Sequence, residues 1–523
     1  MLTATAGLVE PNCRINRDQQ HHLHAQGSQS SSILVNPQLL LVTLVLVGFG
    51  LRFVPLWENR NLWIDEAMLA LNVVERSPQE LMQPLDWNQG APLGFLLLSK
   101  TVCSSLGLHE WALRLVPFVG SLIGLSVFAW VAQRCLPMPS AIGAVALYAV
   151  SPYLVSYAAE FKQYSTDAAI TICLFALALG LLHGQGGITR WIVLALGGAL
   201  AIWCSHPSVF VLGGIGLALG SEAVIRRNWK RLLACSATGA VWLTSLAVCY
   251  RLVLKHLGAN RYLQDYWMGH FMPVPRSVGD LAWLAEHYFE LFRNPGGLGG
   301  QALGTPALSA CLFLTGIVAF IRQCRPIALA VVVPGGLALL ASAMHKYPFA
   351  GRLLLFLVPL LLLPVARGGW GVFVTLRTRE PVMAWLVLAV VLIGPLYETA
   401  KLYRQPLNCE DLASALQYLR AHIQSDDVVY VYPGAIPAFQ FYTRDQPLPA
   451  RVHLGDHHRD QPTGYQSELR NFVGKPRVWL VFSHRHAHEE PVIRAYAEGF
   501  GPCNRHIQFR GAAVYLFDFQ SLQ

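Results

Sequence analysis

The sequence predicts a polytopic α-helical membrane protein that carries a small water-soluble α/β domain at its C-terminal end. Of the 523 residues, 54% are hydrophobic and only 13% are charged, whereas soluble domains average about 25% charged residues. Twelve apolar runs lie within the first 400 residues, and residues 402–523 behind them hold 12 basic and 12 acidic side chains. This pattern excludes an ordinary soluble enzyme, a disordered chain and a coiled coil.

The apolar runs are the candidates for membrane-spanning helices. A helix needs about 20 mostly apolar residues to cross the hydrocarbon core of a bilayer, and several of these runs are near or below that length. Residues 1–32 are polar and rich in His and Ser, and they predict a disordered cytoplasmic tail. The runs cover residues 33–57, 92–108, 114–134, 138–157, 166–183, 190–204, 208–225, 232–254, 305–321, 327–343, 352–366 and 382–400.

Basic clusters between the later runs indicate the orientation of the chain. One cluster spans Arg226 to Arg231, and loops rich in Lys and Arg stay in the cytoplasm. If residue 1 is cytoplasmic and all twelve runs cross, this cluster falls outside, so one earlier run either does not cross or hides a split. We therefore predict eleven to thirteen crossings of the plasma (inner) membrane, with residues 226–231 cytoplasmic and the C-terminal domain extracytoplasmic.

This layout divides the chain into a transmembrane domain and a C-terminal domain. Residues 33–401 form the transmembrane domain, whose two long loops at 58–91 and 255–304 should face outward. Residues 402–523 form the α/β domain, in which apolar periodicity and β-branched or aromatic runs indicate the elements. The predicted elements are a helix over 410–424 and strands over 428–432, 477–482 and 513–519.

The first candidate site lies directly after the first apolar run. Asp65 and Glu66 are adjacent carboxylates beside an apolar surface, where charge is costly. A carboxylate at the membrane–water boundary, with a pKa raised by partial burial, can take a proton from an acceptor hydroxyl, so both are candidates for catalysis. Asp86 and Gln89, in the same loop, are candidates for substrate binding. The alternative is a solvated acidic loop that obeys the positive-inside bias.

A second polar cluster occupies residues 157–167, between two apolar runs. On a helix Glu160, Tyr164 and Asp167 would share one face, because they are spaced three and four residues apart. This face would form the polar wall of a water-filled cavity, with Glu160 and Tyr164 as substrate-binding residues and Lys162 in contact with a phosphate. The alternative is a short polar loop with an intrahelical pair.

A third cluster contains the cations Lys346 and Arg352, at a helix end that should face outward. The positive-inside rule does not favour cations there, whereas Arg forks and Lys point charges both suit phosphate. The pair therefore predicts an anionic partner such as a lipid phosphate. The alternative is snorkelling of both side chains to the head groups.

Motifs of other enzyme classes are missing from the sequence. It contains no phosphate-binding glycine loop, no HExxH and no GxSxG, so catalysis rests most simply on carboxylates and cations. No cofactor is certain, and a divalent metal is compatible with this chemistry without being required. The basic excess lies in loops between apolar runs and does not indicate nucleic acid. The histidines at 457–458 and 484–488 are expected in exposed loops, since their spacing alone is weak evidence for a metal site.

Together these motifs resemble the GT-C superfamily of membrane glycosyltransferases, in the branch of protein O-mannosyltransferases and aminoarabinose (lipid A) transferases. The resemblance extends over most of residues 33–400 in layout. The chain departs from that branch in its small α/β tail and in having Ala91-Pro92 where the lipid A transferases have Lys-Pro-Pro. The motifs that carry the resemblance are Trp63–Ala67, Gln89–Phe95, Glu110–Pro117, Glu160–Tyr164 and Tyr347–Pro359.

The resemblance implies an inverting glycosyltransferase that moves a sugar from a polyprenyl-phosphate donor to an extracytoplasmic acceptor. Asp65 matches the external-loop base of that superfamily, and Lys162, Lys346 or Arg352 would hold the donor phosphate. The acceptor, whether lipid, glycan or protein, is left open. Two alternatives are a secondary transporter, although no matching halves occur in the sequence, and a non-catalytic subunit that binds lipid-linked sugars.

Overall fold

The computed structural model describes residues 36–299, 305–406, 409–486 and 488–520, so the predicted cytoplasmic tail lies outside the described residues. The described chain is a bundle of apolar helices followed by a small mixed domain, which confirms the predicted fold class. The helices of the bundle and its loops are α1 (Pro37–Trp57), α2 (Ile64–Glu75), α3 (Leu93–Leu106), α4 (Glu110–Cys135), α5 (Met138–Ala149), α6 (Pro152–Ser156), α7 (Tyr164–Leu182), α8 (Ile188–Cys204), α9 (Ser208–Ile225), α10 (Trp229–Cys249), α11 (Lys255–Gly258), α12 (Arg261–Tyr266), α13 (Val278–Arg293), α14 (Thr305–Gln323), α15 (Arg325–Ala343), α16 (Val358–Leu376) and α17 (Pro381–Arg404).

Every apolar run of the sequence has a helical counterpart. Nine helical segments of the described chain are long and apolar enough to cross a bilayer, and a tenth arises if α5 and the bent segment Pro152–Ala159 count as one span. The two shorter apolar helices, α3 and α8, complete the set of twelve. The nine long segments are α1, α4, α7, α9, α10 with its extension to Gly258, α14, α15, α16 with its preceding turn from Gly351, and α17.

Helix α3 begins and ends at the same end of the bundle. Just before it, the Gly90 carbonyl accepts a hydrogen bond of 3.2 Å from Gln163. Just after it, Arg114 near the start of α4 donates to the Arg60 carbonyl in the loop that precedes α2. With 14 residues, α3 is about 21 Å long, whereas the hydrocarbon core is about 30 Å thick. A run that begins and ends at one end of the bundle would not change sides of the membrane, and this would reconcile twelve runs with the basic loops.

The axes of α5 and of the following segment Pro152–Ala159 differ in direction by 53°. A buried arginine satisfies backbone groups at this break. Arg52 of α1 is fully buried and donates to the carbonyls of Tyr148 and Ala149, both at 3.0 Å. Thr399 donates to the next carbonyl, Val150, at 2.7 Å. Backbone groups released by a helix break inside a membrane need such partners. The break lets residues 157–163 leave the helical path and form part of the site described below.

The C-terminal domain is a five-stranded sheet flanked by helices, with strand order β2-β1-β3-β5-β4. Strands β1, β2 and β3 are parallel, and β5 pairs antiparallel with both β3 and β4. The sequence predicted α18, β1, β3 and β5, but it missed the edge strands β2 and β4, whose largely exposed residues lack a continuous apolar run. The elements are α18 (Leu412–His422), β1 (Val428–Val431), α19 (Ile436–Thr443), β2 (Arg451–Leu454), α20 (Thr463–Arg470), β3 (Val478–Ser483), α21 (Glu489–Glu498), β4 (Cys503–Phe509) and β5 (Ala512–Phe517).

The C-terminal domain packs onto the segment between α1 and α3 rather than standing apart from the bundle. Leu69 and Leu71 of α2 belong to the same buried apolar cluster as Leu416 of α18 and Phe439 of α19. The Tyr442 hydroxyl also accepts a hydrogen bond of 2.8 Å from the backbone of the residue before Trp63. Burial of this apolar surface holds α2 between the bundle and the domain.

Candidate active site

Helix α2 carries both predicted catalytic carboxylates in its first turn. Acidic side chains there are favoured by the positive end of the helix dipole. Because successive residues of an α-helix point about 100° apart, Asp65 and Glu66 enter different surroundings. One carboxylate faces the interior of the protein, and the other faces a cluster of cationic and aromatic side chains.

Glu66 forms a buried ion pair with Arg114 of α4. Two hydrogen bonds of 2.8 and 2.7 Å join the carboxylate to the guanidinium, whose side chain is 3% exposed, against 2% for Glu66. The backbone N–H of Phe161 donates a third bond, of 2.6 Å. Glu66 therefore links α2 to α4 and to the 157–163 segment, and its oxygens are already engaged.

Asp65 pairs with Arg352, the first side chain of the turn that leads into α16. Arg352 Nη1 lies 2.8 Å from Asp65 Oδ2, and both side chains are about one-fifth exposed (22% and 21%). The guanidinium also lies over the rings of Trp63 and Tyr164, with its central carbon 5.9 and 5.6 Å from their centroids. Such stacking orients an arginine while part of its fork stays accessible.

Lys162 and Gln89 meet beside this pair, although 73 residues separate them in the sequence. Lys162 Nζ donates to Gln89 Oε1 at 2.7 Å, and its side chain is buried. Burial lowers the pKa of Lys162, while the nearby Asp65 opposes that shift. The segment from Glu160 to Gln163 is not helical, so the helical face predicted for this cluster is wrong. The helix break turns these side chains toward α2 instead.

The carboxylates of the cluster have opposite pKa shifts. Burial raises the pKa of Asp65, but Lys162 and Arg352 outweigh burial, and the net pKa lies below the usual value. Burial, together with the neighbouring Glu66, raises the pKa of Glu160 to about 8. At neutral pH Asp65 is therefore ionised and Glu160 is mostly protonated.

Among the predicted site residues that meet here, counted together with Arg114, one positive charge is in excess at neutral pH. The pairs Glu66–Arg114 and Asp65–Arg352 each cancel. Lys162 remains, and Glu160, which is mostly protonated, does not neutralise it. The cluster is thus electrostatically suited to a monoanion.

Two predicted substrate-binding residues lie apart from this cluster. Asp86 is exposed and pairs with Arg76 of the same loop at 2.8 Å, which closes the loop on itself. Lys346 is exposed just beyond α15, and the structure shows no contact between it and the cluster within the described residues. The predicted roles of both residues remain predictions. The other seven predicted site residues lie in the cluster: Asp65, Glu66, Gln89, Glu160, Lys162, Tyr164 and Arg352.

The cluster does not fit a divalent metal. A metal of this kind needs several converging oxygen or nitrogen ligands, and the described residues contain no group of three or more His, Cys, Asp or Glu that could hold an ion. Lys162 and Arg352 both act electrostatically on Asp65 and Glu160, and these two cations disfavour the binding of a further cation.

Sequence reasoning missed the contribution of the C-terminal domain to this site. Glu410 accepts a hydrogen bond of 3.2 Å from the backbone N–H of Ile64, at the start of α2. His484 Nδ1 lies 2.7 Å from the other oxygen of Glu410, and its ring centroid lies 6.4 Å from that of Trp63. The prediction of an exposed loop is therefore wrong for His484, which is half-buried. No sequence signal joins residues more than 340 positions apart.

An apolar cavity of about 180 Å³ lies next to the Arg352 turn. Phe349 and Leu357, at either end of that turn, line it together with the amphipathic helix α13 and parts of α14, α15 and α16. Its lining is dominated by Leu, Val and aromatic side chains, which suit a hydrocarbon chain. The cationic cluster and the apolar cavity therefore share the segment 349–357.

The chain has no match among protein-family models or among curated sequences. Its structure resembles ArnT from Cupriavidus metallidurans bound to undecaprenyl phosphate, with a TM-score of 0.54 and 15% identity over 91% of this chain and 97% of that one. It also resembles the archaeal oligosaccharyltransferase AglB from Archaeoglobus fulgidus in complex with an inhibitory peptide and a dolichol-phosphate, with a TM-score of 0.53 and 11% identity over 92% and 74% of the two chains. The chain therefore has the fold of the GT-C superfamily of membrane glycosyltransferases, as its motifs predicted.

Proposed function

We propose that this protein is an inverting glycosyltransferase that moves a sugar from a polyprenyl-phosphate donor to an extracytoplasmic acceptor, with Asp65 as the base. The observation that carries the proposal is the ionised Asp65, about one-fifth exposed, which lies against Arg352 and beside Lys162, close to an apolar cavity. A carboxylate, two cations and an adjoining apolar surface are the groups that this reaction needs.

The charge of the cluster supports a phosphodiester donor. A sugar linked to a polyprenyl phosphate carries one negative charge, which matches the single excess positive charge at neutral pH. Arg352 offers a planar fork and Lys162 a point charge, and both suit phosphate oxygens. When the phosphate takes part of the Arg352 fork, it screens the cation from Asp65, so the carboxylate becomes more basic as the donor binds.

The apolar cavity supports a lipid-linked donor rather than a soluble sugar nucleotide. The polyprenyl chain would lie along Phe349, Leu357 and α13, with its phosphate at Arg352, which lies between Phe349 and Leu357 in the sequence. Two proteins of the same fold were crystallised or imaged with lipid phosphates of this kind, undecaprenyl phosphate in ArnT and dolichol-phosphate in AglB. These likenesses support the lipid class of the donor and leave its sugar open.

In the proposed reaction the acceptor oxygen attacks the anomeric carbon from the face opposite the phosphate. Asp65 takes the hydroxyl proton, the bond from the anomeric carbon to the phosphate oxygen breaks, and the polyprenyl phosphate leaves with the configuration inverted. The phosphate changes from a monoanionic diester to a more highly charged monoester. Arg352 and Lys162 therefore stabilise the transition state more than the bound donor, which is how electrostatic groups accelerate a reaction.

The remaining predicted residues take supporting roles in this proposal. Glu66 positions α2 through Arg114, because its carboxylate is buried and fully engaged. Gln89 holds the Lys162 ammonium. The ring of Tyr164 orients the Arg352 guanidinium, which lies over it. Glu160 sets the net charge of the site.

The first prediction concerns Asp65→Asn, which keeps the shape of the side chain but removes the base. We expect transfer from a polyprenyl-phosphate sugar to fall by about 100- to 10,000-fold, the usual contribution of general acid–base catalysis. The measurement is release of undecaprenyl phosphate from undecaprenyl-phosphate mannose, glucose and arabinose by the full-length protein in nanodiscs. The control Glu75→Gln alters an exposed carboxylate of the same helix.

Normal transfer by Asp65→Asn would remove Asp65 from the mechanism. Binding of a donor by the wild-type protein, without release of undecaprenyl phosphate from any of the three, would instead favour a non-catalytic subunit. Uptake of a solute into sealed vesicles with no donor cleavage would favour a secondary transporter.

A further inference from the structure

The parallel strands of the C-terminal domain end beside the proposed active site. Strand β1 lies between β2 and β3, so the chain crosses from one side of β1 to the other between these strands. In open sheets of this kind ligands bind outside the carboxyl ends of the strands, where the strand order changes direction. Gly434 follows β1, and a Cβ there would lie 2.7 Å from the backbone oxygen of His484. This close approach brings the ends of β1 and β3 together.

His484 is held in one orientation at this edge. Its Nδ1 lies 2.7 Å from Glu410 Oε1. Because a carboxylate only accepts hydrogen bonds, we assign the proton of the ring to Nδ1. The second nitrogen, Nε2, has no hydrogen-bond partner among the described residues, so in the neutral ring it is an available acceptor. Carboxylate-oriented imidazoles of this kind are well suited to bind a hydroxyl group.

Trp63 supplies an unused donor next to this imidazole. Its side chain is 9% exposed, and its Nε1–H is buried without a hydrogen-bond partner in the described part of the chain. Its ring lies between Arg352, at 5.9 Å, and His484, at 6.4 Å. A buried N–H without a partner costs about 1–3 kcal/mol, so the group indicates a ligand that accepts from it.

We propose that Trp63 Nε1 and His484 Nε2 form the acceptor subsite and bind one hydroxyl group of a saccharide. In the bound state the hydroxyl donates a hydrogen bond to His484 Nε2, and its oxygen accepts one from Trp63 Nε1. In the reaction the hydroxyl gives its proton to Asp65. This inference rests on the proposed function, since it names the acceptor side of the same site. The C-terminal domain then takes part in the reaction by positioning the acceptor.

Polar side chains continue this subsite along the carboxyl edge of the sheet, which favours a saccharide over an alkyl acceptor. The ring of His486 lies 5.8 Å from that of His484, and His486 interacts electrostatically with Arg459 and Glu489. His457 lies within the field of the same two charged residues. A row of exposed imidazoles and an ion pair offers hydrogen bonds to successive hydroxyl groups, and it provides no apolar wall for a lipid tail.

The test separates binding of the acceptor by His484 from support of Glu410. In His484→Asn the amide nitrogen replaces Nδ1 and keeps the bond to Glu410, while nothing replaces Nε2. Asparagine also tolerates the positive φ of 47° at this position. Trp63→Phe keeps the ring contacts and removes the N–H. The control His506→Asn alters an imidazole that stacks on Tyr515, away from this edge.

Two rates are measured for each variant with the donor that the wild-type protein cleaves: transfer to saccharide probes (methyl α-mannoside, methyl β-galactoside and a maltodextrin) and hydrolysis of the donor by water. We expect His484→Asn and Trp63→Phe to raise the acceptor KM at least tenfold, so that transfer falls relative to donor hydrolysis in each variant. An unchanged acceptor KM in His484→Asn would reduce His484 to a support for Glu410. Transfer to a serine peptide or to octanol, without transfer to any saccharide, would overturn the saccharide assignment.

Saturation-transfer NMR with the same saccharides tests the subsite without turnover. Saturation of the probes by wild-type protein that is lost in both variants supports the subsite. Equal saturation in wild type and variants, or none in wild type, overturns it. Failure of the proposed function is recognised separately, because the wild-type protein would then cleave no donor while the binding result still decides the subsite.

Discussion

The neighbouring carboxylates Asp65 and Glu66 lie in different surroundings. Glu66 is buried, with Arg114 and a backbone N–H on its oxygens, whereas Asp65 is partly exposed beside two cations. From residue types alone, the sequence predicted Asp65, Glu66 and Arg352 as residues of the site. It did not predict Arg114 as the partner of Glu66, because residues 48 positions apart meet only when two helices pack.

The second prediction concerns the pH dependence of donor binding. The pKa of Glu160 is raised to about 8, so the group is mostly neutral below that pH and becomes anionic above it. As pH rises through 8, the excess positive charge is lost, and we expect the donor KM to rise by about tenfold between pH 7 and pH 9.5. The measurement is donor KM against pH for wild type and for Glu160→Gln, which should lose most of this rise.

Arg352 and Lys162 lower the pKa of Glu160, and Asp65 and Glu66 raise it, so all four belong to the titrating cluster. Because the pKa of Lys162 is lowered, this side chain also loses positive charge as the pH rises. The profile of Glu160→Gln measures the contribution of Lys162 without that of Glu160. A wild-type profile identical to that of Glu160→Gln would show that Glu160 does not set the charge of the site.

At the scale of elements, α2 is a short amphipathic helix whose position depends on its neighbours. Its apolar side packs with α18 and α19, and the Glu66–Arg114 pair ties it to α4. The Glu410 carboxylate accepts a hydrogen bond from the backbone N–H of Ile64, in the first turn of α2. The sequence predicted the loop and its carboxylates but no helix there, because 12 residues of mixed polarity form a stable helix only through tertiary packing.

The third prediction tests this anchoring with Glu66→Gln. Removal of one partner leaves the Arg114 charge buried without compensation, and we expect the free energy of unfolding to fall by about 3–5 kcal/mol. The measurement is unfolding of the purified protein in mixed dodecyl maltoside and SDS micelles. Glu66→Leu combined with Arg114→Met should recover part of the loss, since a buried pair can be replaced by packed apolar residues.

The matched control is Glu498→Gln, which breaks the exposed pair with Arg494 at 3.3 Å. It should change the free energy of unfolding by less than about 1 kcal/mol. Equal effects of the buried and exposed substitutions would contradict an anchoring role for Glu66.

At the scale of the whole molecule, the two ends of the bundle carry different charge patterns. The short loops and the first helical turns at one end bear Arg226, Arg231, Arg325 and Arg379. Arg231 also donates to a carbonyl at the end of α7. The other end carries the candidate active site and the C-terminal domain. By the positive-inside rule the first end is cytoplasmic and the second extracytoplasmic, and we propose this orientation for the chain.

The fourth prediction follows from the orientation and from the non-crossing α3. In a cysteine-free background, Asp460→Cys and His109→Cys should both react with a membrane-impermeant maleimide in intact cells. Trp229→Cys should react only after permeabilisation. Labelling of position 109 only after permeabilisation would mean that α3 crosses the membrane, and labelling of 229 in intact cells would reverse the orientation.

The sequence by itself determined the membrane class, the twelve apolar helices and the residue types of the site. Hydrophobic length and charge are local properties, and the bilayer imposes the same requirements on every span. They also sufficed for the buried strands β1, β3 and β5, whose continuous apolar runs reflect burial on both faces.

Only the tertiary structure decided which apolar run begins and ends at one end of the bundle, which carboxylate of the Asp-Glu pair faces the cations, and how the C-terminal domain meets α2. Each of these depends on contacts between residues far apart in the chain, such as Asp65 with Arg352 or Ile64 with Glu410. Such contacts form because several helices and a separate sheet bury apolar surface together, and no periodicity within one segment encodes the partner that another segment will present.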